Sequence, residues 1–84
     1  IVIKTTKVDG VYNKDPHEHS DAMRYDHISY TEALANEHVQ VMDRAALAFA
    51  ADKGITIGIC KPNPQDVLAL LNSDTTRGTL VHND

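Results

Sequence analysis

The segment from Lys4 to Pro16 constrains the fold of this chain more than any other stretch of its 84 residues. A β-branched run precedes it, an aspartate-glycine pair lies at its centre and an aspartate-proline pair ends it: Ile1-Val2-Ile3, Asp9-Gly10 and Asp15-Pro16. β-branched residues favour strands, and the two dipeptides favour turns. The segment therefore predicts extended structure over residues 1–6 and 8–12, joined by a tight turn, and a polar loop over residues 13–27.

Start and stop signals further along the chain predict three helices. A Ser-x-x-Glu spacing that begins at Ser29 is typical of a capping box, in which the Ser oxygen accepts from a first-turn amide. Asp43 can cap a second, alanine-rich helix, and Gly54 is placed to end it. Asn63-Pro64 starts a third helix over residues 65–72. An apolar face, interrupted around residues 36–38, is assigned to Ala33, Leu34, Val39, Val41 and Met42. The residues of the third helix that are expected to face inward are Val67, Leu68, Leu70 and Leu71.

Two more strands complete the predicted order of elements. Ile55 to Cys60 is an apolar run after a helix, as in a crossover to a parallel strand, and Gly78 to Val81 closes as a short strand. The order strand-strand-helix-helix-strand-helix-strand indicates an α/β layered fold. Strands buried on both faces need more sheet than 84 residues supply, and the chain begins inside a strand-like run without an initiating Met. We therefore expect a fragment of a larger domain.

Composition argues against several classes of protein. The net charge is −4 and the basic residues are scattered, which disfavours a nucleic-acid-binding surface. No apolar run approaches the length of about 20 residues that a membrane span needs, so a membrane protein is not expected. The single cysteine, Cys60, cannot form an internal disulfide, which fits a reducing cytoplasm. We expect Cys60 to be a small core residue rather than a nucleophile.

Three side chains are predicted to gather near the end of the first strand: Thr6, Tyr12 and Asp15. In open α/β sheets, ligands bind at the carboxyl ends of strands. A threonine, an aromatic ring and a carboxylate suit a purine edge, its stacking face and a ribose hydroxyl, so one interpretation is a nucleotide pocket. The alternative is a β-turn in which Asp15 caps the loop and Tyr12 packs on the surface. Lys7 beside them is either a cation for phosphate groups or a solvated lysine.

Two other polar features have simpler interpretations. His17-Glu18-His19 places two imidazoles and a carboxylate together, which raises the question of a metal site. In an extended loop the middle residue points away from the other two, and no further ligands are apparent, so a solvated loop is favoured and no metal site is predicted. Asp9 is assigned to the turn, because aspartate tolerates turn conformations and bonds the nearby backbone.

Four blocks of sequence, in this order, resemble a known family: Lys4-Thr-Thr-Lys-Val-Asp-Gly-Val-Tyr12 with Asp15-Pro16, Tyr25 with Ile28-Ser-Tyr-Thr-Glu-Ala-Leu34, Val41-Met-Asp-Arg-Ala-Ala46, and Gly78-Thr-Leu-Val81. They are similar to the amino acid kinase family, and within it to the C-terminal part of bacterial uridylate kinases. The first block is shared with aspartate and glutamate kinases, so it indicates the family. Val41-Met42-Asp43 is the finer signal for uridylate kinases, because aspartokinases tend to carry a histidine-proline pair near that position.

This resemblance implies a three-layer α/β sandwich of the amino acid kinase type, with residues 1–84 as its C-terminal, ATP-side portion. It also implies transfer of the γ-phosphoryl group of Mg-ATP to UMP, with ATP and Mg²⁺ as cofactors. Thr6 then lies near the adenine edge, Tyr12 against the ring and Asp15 toward the ribose. The family's N-terminal lysine, glycine-rich phosphate loops and UMP-binding segment lie upstream, so we assign no catalytic residue here and expect the 84-residue chain alone to be inactive. Lys61-Pro62-Asn63 departs from the asparagine-containing loop of uridylate kinases, which weakens any transfer of adenine contacts to it.

The resemblance further implies a cytoplasmic enzyme of pyrimidine nucleotide biosynthesis that assembles as a homohexamer and responds to GTP and UTP, without nucleic-acid or membrane partners. Two alternatives stay open. Another amino acid kinase, such as an aspartokinase, shares the first block, and the sequence upstream of Ile1 would distinguish it. A noncatalytic nucleotide-binding module would bind ATP by itself as a folded 84-residue protein.

Overall fold

The structure is a computed structural model that describes residues 1–36 and 43–83. The described residues form four strands, three α-helices and one turn of 3₁₀ helix. In chain order these are β1 (Val2–Thr5), β2 (His27–Ser29), α1 (Tyr30–Ala35), α2 (Arg44–Lys53), β3 (Ile57–Cys60), α3 (Pro64–Leu71), the 3₁₀ turn (Thr75–Arg77) and β4 (Gly78–His82). The predicted order of strands and α-helices is confirmed, although one strand lies elsewhere in the chain. Within the described ranges, no helix has the length and apolar character of a membrane span.

The four strands form one mixed sheet in the order β1-β3-β4-β2. β1 runs parallel to β3 and β2 runs parallel to β4, whereas β3 and β4 are antiparallel. Thr5 at the end of β1 pairs with Cys60 at the end of β3, and Cys60 pairs with Gly78 at the start of β4. The carboxyl ends of β1 and β3 therefore lie side by side, next to the beginning of β4.

The second strand is not where the sequence placed it. The predicted strand over residues 8–12 is wrong, because this stretch contributes a single bridge at Tyr12 instead of a ladder. Gly10 has a φ of 150°, which side-chain-bearing strand residues rarely adopt, and the chain bends there. β2 begins instead at His27, the last residue of the predicted loop. It has three residues and one buried apolar side chain, Ile28, so it is too short to show a strand periodicity.

The three helices begin directly after the N-cap residues that the sequence indicates. Ser29, Asp43 and Asn63 each accept a hydrogen bond from a first-turn amide at 2.9–3.1 Å. Gly54 ends α2 in the left-handed conformation, with a φ of 67°. α3 begins and ends one residue earlier than predicted, at Pro64–Leu71. Three residues assigned to an apolar helix face lie outside the described residues: Val39, Val41 and Met42.

Helices cover both faces of the sheet. The larger core lies on the side of α1 and α2, and its buried residues are Val11, Ile28, Tyr30, Ala33, Leu47, Ala50, Ile57, Ile59 and Val81. On the opposite face, α3 contributes Leu70 to a smaller cluster with Cys60 and Leu80. Cys60 is fully buried there, which confirms its prediction as a core residue. The three-layer helix-sheet-helix arrangement expected of the amino acid kinase type is therefore confirmed.

The inner face of α3 differs from the prediction. Leu70 is fully buried as expected, but Leu68 and Leu71 are 58% and 52% exposed, so their assignment to the core is wrong. At 3.6 residues per turn, α3 can direct only one side toward the sheet, and Leu68 lies on the far side from Leu70. The buried side instead includes Asp66, whose carboxylate accepts a hydrogen bond from Arg77 at 3.1 Å. This ion pair explains how a charged residue occupies a position on the sheet-facing side.

Candidate nucleotide site

A cleft opens at the end of the sheet where β1 and β3 finish. Its volume is about 210 Å³, and the residues that line it are Lys7, Val8, Asp9, Tyr12, Pro16, His17 and Lys61. Lys7 comes two residues after the end of β1, and Lys61 directly follows β3. Because α/β sheets bind ligands at the carboxyl ends of parallel strands, this cleft is the candidate functional site.

Tyr12 is the predicted nucleotide contact that lines the cleft itself. Thr6 lies directly before the lining residue Lys7, and its amide donates to the carbonyl oxygen of Cys60 at 2.8 Å. The Thr6 hydroxyl donates to the Val8 carbonyl oxygen at 2.7 Å and accepts from the Val8 amide at 3.1 Å. Thr6 therefore fixes the turn that carries the chain from β1 into the cleft wall.

Asp15 is exposed and lies directly before Pro16, at the rim of the cleft. Its carboxylate accepts a hydrogen bond from the His17 amide at 2.8 Å, and its carbonyl oxygen accepts from the two amides that follow. The structure thus brings Tyr12 into the cleft and sets Thr6 and Asp15 beside it. The contacts of these residues with adenine and ribose stay predictions.

The His17-Glu18-His19 motif follows Pro16 in the same loop. All three residues are exposed, as the solvated-loop interpretation predicts, and His17 also lines the cleft. In the described part of the chain, no three or more His, Cys, Asp or Glu side chains are grouped so that they could hold a metal ion.

Asp9 connects the cleft wall to the rest of the fold. The Tyr12 hydroxyl donates to one carboxylate oxygen of Asp9 at 2.8 Å, and the Arg24 guanidinium donates to the other at 3.2 Å. The sequence assigned Asp9 to backbone bonding in a turn, whereas the structure shows a carboxylate shared by two side chains. The hydrogen bond with Asp9, together with burial, raises the pKa of Tyr12. Tyr12 therefore keeps its proton at neutral pH, and its hydroxyl is tethered to the wall.

The lysines give the cleft its electrostatic character. Within residues 1–36 and 43–83, the ion pairs involve Lys14, Arg24 and Arg77, and none involves Lys7 or Lys61. The carboxylate of Asp9 in the same wall is paired with Arg24. Two lysines outside the ion pairs of the described residues therefore line one cleft in a chain whose net charge is −4. Such a local excess of positive charge favours an anionic ligand.

Three residues of this site were not found from the sequence: His17 in the cleft wall, Lys61, and Arg24 behind the wall. Lys61 carried a usable signal, because it directly follows a buried strand that is parallel to β1. No local pattern indicates Arg24, because its partners Thr75 and Thr76 are about fifty residues away in the sequence. They lie next to Arg24 only in the folded structure.

The three tyrosines and Cys60 predict a pH dependence of stability. Burial raises the pKa of Tyr25, Tyr30 and Cys60, and the hydrogen bond with Asp9 raises that of Tyr12. Each group loses its proton more readily in the unfolded chain, so above the unfolded pKa values the folded state binds more protons. The free energy of unfolding is expected to be at its full value below about pH 8 and to fall as pH rises through about 9 to 11.

Urea denaturation of the protein between about pH 7 and about pH 11 measures this fall. The Cys60→Ala variant should lose the earliest part of the fall, because a thiol ordinarily titrates before a phenol. An unfolding free energy that stays constant or rises over this range contradicts the prediction.

Comparison with known proteins identifies the class. The model of the amino acid kinase family matches residues 1–61, which include β1, β3 and every residue that lines the cleft. The chain therefore belongs to the amino acid kinase family.

Within that family, the chain is similar to uridylate kinases. It is 53% identical over 60 residues to the uridylate kinase of Helicobacter hepaticus, an alignment that covers 71% of this chain and 25% of the relative. It is 43% identical over 81 residues to the uridylate kinase of Xanthomonas campestris pathovar campestris, which covers 96% of this chain and 33% of the relative. The chain thus spans between a quarter and a third of the length of these curated relatives.

Solved structures show the same likeness. The crystal structure of UMP kinase from Bacillus anthracis matches 98% of this chain and 34% of its own with a TM-score of 0.88 at 27% identity. E. coli aspartokinase III in complex with lysine and aspartate matches 99% of this chain and 17% of its own with a TM-score of 0.62 at 29% identity. The fold is thus shared across the family, and the match to the UMP kinase is the better of the two.

Proposed function

We propose that this chain is the C-terminal, ATP-side portion of a uridylate kinase, which transfers the γ-phosphoryl group of Mg-ATP to UMP. The observation that carries the proposal is the cleft at the carboxyl ends of β1 and β3, where Tyr12 lies with two lysines. A nucleoside triphosphate combines a flat aromatic base with a polyanionic tail. An aromatic ring and two cations in one cleft match both parts of that ligand.

The residues of the cleft divide between the two ends of ATP. Tyr12 packs against the adenine ring, with Thr6 near its edge and Asp15 toward the ribose. Lys7 and Lys61 face the phosphate groups as point charges. The cleft holds about 210 Å³. Sites for ligands of drug size hold about 300–1,000 Å³, so these residues form one part of a larger site.

The described residues of the cleft offer no free carboxylate for Mg²⁺, so the ion would be held mainly by the phosphate groups of the ligand. In phosphoryl-transfer sites it is held mainly by phosphate oxygens and water, with one or two carboxylates. The carboxylate that lines the cleft belongs to Asp9, and Tyr12 and Arg24 already occupy its two oxygens. The cleft residues are therefore not a magnesium-binding set, and the groups that carry the reaction belong to the proposed upstream part of the protein.

The proposal also includes the cellular location, pathway, assembly and effectors that the family resemblance implies. The enzyme works in the cytoplasm in pyrimidine nucleotide biosynthesis, assembles as a homohexamer and responds to GTP and UTP. An aspartokinase is the second candidate, because aspartokinase III shares the fold. Uridylate kinase is favoured because the UMP kinase match has a higher TM-score than the aspartokinase match and because the curated relatives described above are uridylate kinases.

An acceptor panel tests the proposal. With Mg-ATP, the full-length protein should release ADP when given UMP and release none above background with aspartate, glutamate or acetylglutamate. An acceptor site built to hydrogen-bond a uracil and a phosphate leaves buried polar groups unpaired when a small amino acid enters, and rejects it strongly. The 84-residue chain alone serves as a control and should be inactive. Turnover with aspartate but not with UMP would contradict the assignment.

A further inference from the structure

Arg24 ties the cleft wall to a distant part of the chain. It lies opposite Tyr12 in an isolated antiparallel bridge. Its Nη1 donates to the carboxylate of Asp9 at 3.2 Å and to the Asp9 carbonyl oxygen at 3.4 Å. Its Nη2 donates to the carbonyl oxygens of Thr75 and Thr76 at 3.3 and 3.1 Å. One planar guanidinium thus joins the turn after β1 to the 3₁₀ turn before β4.

The contacts of Arg24 continue to the ring of Tyr12. The two oxygens of the Asp9 carboxylate have separate partners, with Arg24 on one and the Tyr12 hydroxyl on the other. Because Asp9 is held by a rigid, charged partner, the hydroxyl of Tyr12 has a fixed acceptor. Arg24 therefore sets where the aromatic ring of the cleft lies without lining the cleft itself.

Arg24 also cancels the negative charge in the wall. Asp9 lines the same cleft as Lys7 and Lys61, and its side chain is 39% exposed against 21% for Arg24. Without Arg24, a carboxylate would face the polyanionic end of a nucleotide and would offset one of the lysines. Charges in a partly shielded cleft interact more strongly than charges in open water, so the loss of Arg24 would weaken the binding of an anionic ligand.

We propose that Arg24 is a positioning residue of the nucleotide site, which holds Asp9 so that the Tyr12 ring is fixed and the wall carries no free negative charge. The inference rests on the proposed function, in which this cleft binds ATP. It assigns a role to a residue that is not among those that line the cleft.

Arg24→Gln in the full-length protein tests the role. We expect the KM for ATP to rise about tenfold, because the wall gains a free negative charge and the Tyr12 ring loses its fixed anchor. The kcat and the KM for UMP should change less than about twofold, because both effects are confined to the ATP end of the site. Adding Asp9→Asn to Arg24→Gln should return the KM for ATP to within about threefold of wild type. The amide removes the unpaired charge, and its carbonyl oxygen still accepts the Tyr12 hydroxyl.

Arg77→Gln is the matched control, because it breaks another Arg–Asp pair, with Asp66, at 3.1 Å. It should lower the Tm and leave the KM for ATP unchanged. Should Arg24→Gln fail to fold, Arg24→Lys takes its place, because it keeps the charge but loses the fork of donors. The KM for ATP of Arg24→Lys should rise about threefold above that of wild type, and an unchanged KM would contradict the role of Arg24.

Calorimetric titration with ATP, without UMP, separates the two ideas. If wild type binds ATP and Arg24→Gln binds it with the same Kd, the role of Arg24 is wrong and the proposed function stands. The role is also wrong if the double variant is no better than Arg24→Gln. If wild type binds no ATP, the proposed function fails and the inference fails with it.

Discussion

Replacing Tyr12 with alanine should raise the KM for ATP about five- to a hundredfold in the full-length protein. The ring lines the cleft, and base–aromatic stacking contributes roughly 1–3 kcal/mol to binding a base. The change removes the stacking surface and leaves the acceptor site intact, so the KM for UMP should hardly change. Initial rates at varied ATP and saturating UMP measure the effect.

Tyr12→Phe is the control for this prediction, because it keeps the ring and removes the hydrogen bond to Asp9. Stacking should survive, so its KM for ATP should stay within about threefold of wild type. An unchanged KM for ATP in Tyr12→Ala would place the ring outside the site. A loss in Tyr12→Phe as large as in Tyr12→Ala would assign the effect to the hydroxyl instead.

Leu70→Ala should lower the free energy of unfolding by about 2–5 kcal/mol, the range for deleting a buried leucine side chain. Leu70 is fully buried between α3 and the sheet, next to Cys60 and Leu80. Removal of its side chain leaves a cavity in the smaller of the two cores, where few other side chains can fill it. Urea denaturation followed by far-ultraviolet circular dichroism measures the change.

Leu68→Ala is a matched control on the same helix, because Leu68 is 58% exposed. We expect it to change the free energy of unfolding by less than about 0.5 kcal/mol. Equal losses in the two variants would mean that Leu68 faces the sheet as closely as Leu70 does. That outcome would contradict the orientation of α3 described here.

Most of the fold could be predicted because its signals are local. Each of the three helices begins after an N-cap residue whose side chain accepts a hydrogen bond from an amide two or three positions away: Ser29, Asp43 and Asn63. Such capping bonds depend little on the rest of the fold. The position of β2 depends on which strand it pairs with, and the exposed side of α3 depends on how the helix packs on the sheet. Neither tertiary contact can be read from local sequence patterns. The prediction therefore failed where tertiary pairing decides.

The candidate site divides in the same way. Tyr12 and Lys7 could be placed because they follow β1 within a few residues. Lys61 joins them because β3 is paired in parallel with β1, with Thr5 opposite Cys60. Arg24 belongs to the site because it bonds the 3₁₀ turn at Thr75 and Thr76, and local sequence patterns do not encode this long-range contact.

The strand order also determines when this part of the protein can fold. β2 pairs with β4, and β4 is the strand that joins β2 to β3 and β1. Because β4 is the last element of the described chain, the sheet stays incomplete during synthesis until residues 78–82 have emerged from the ribosome. Such non-local pairing slows folding and leaves strand edges open to other chains meanwhile. The hydrogen bonds from Arg24 to Thr75 and Thr76, which anchor the cleft wall, can therefore form only after residues 75–76 have been synthesised.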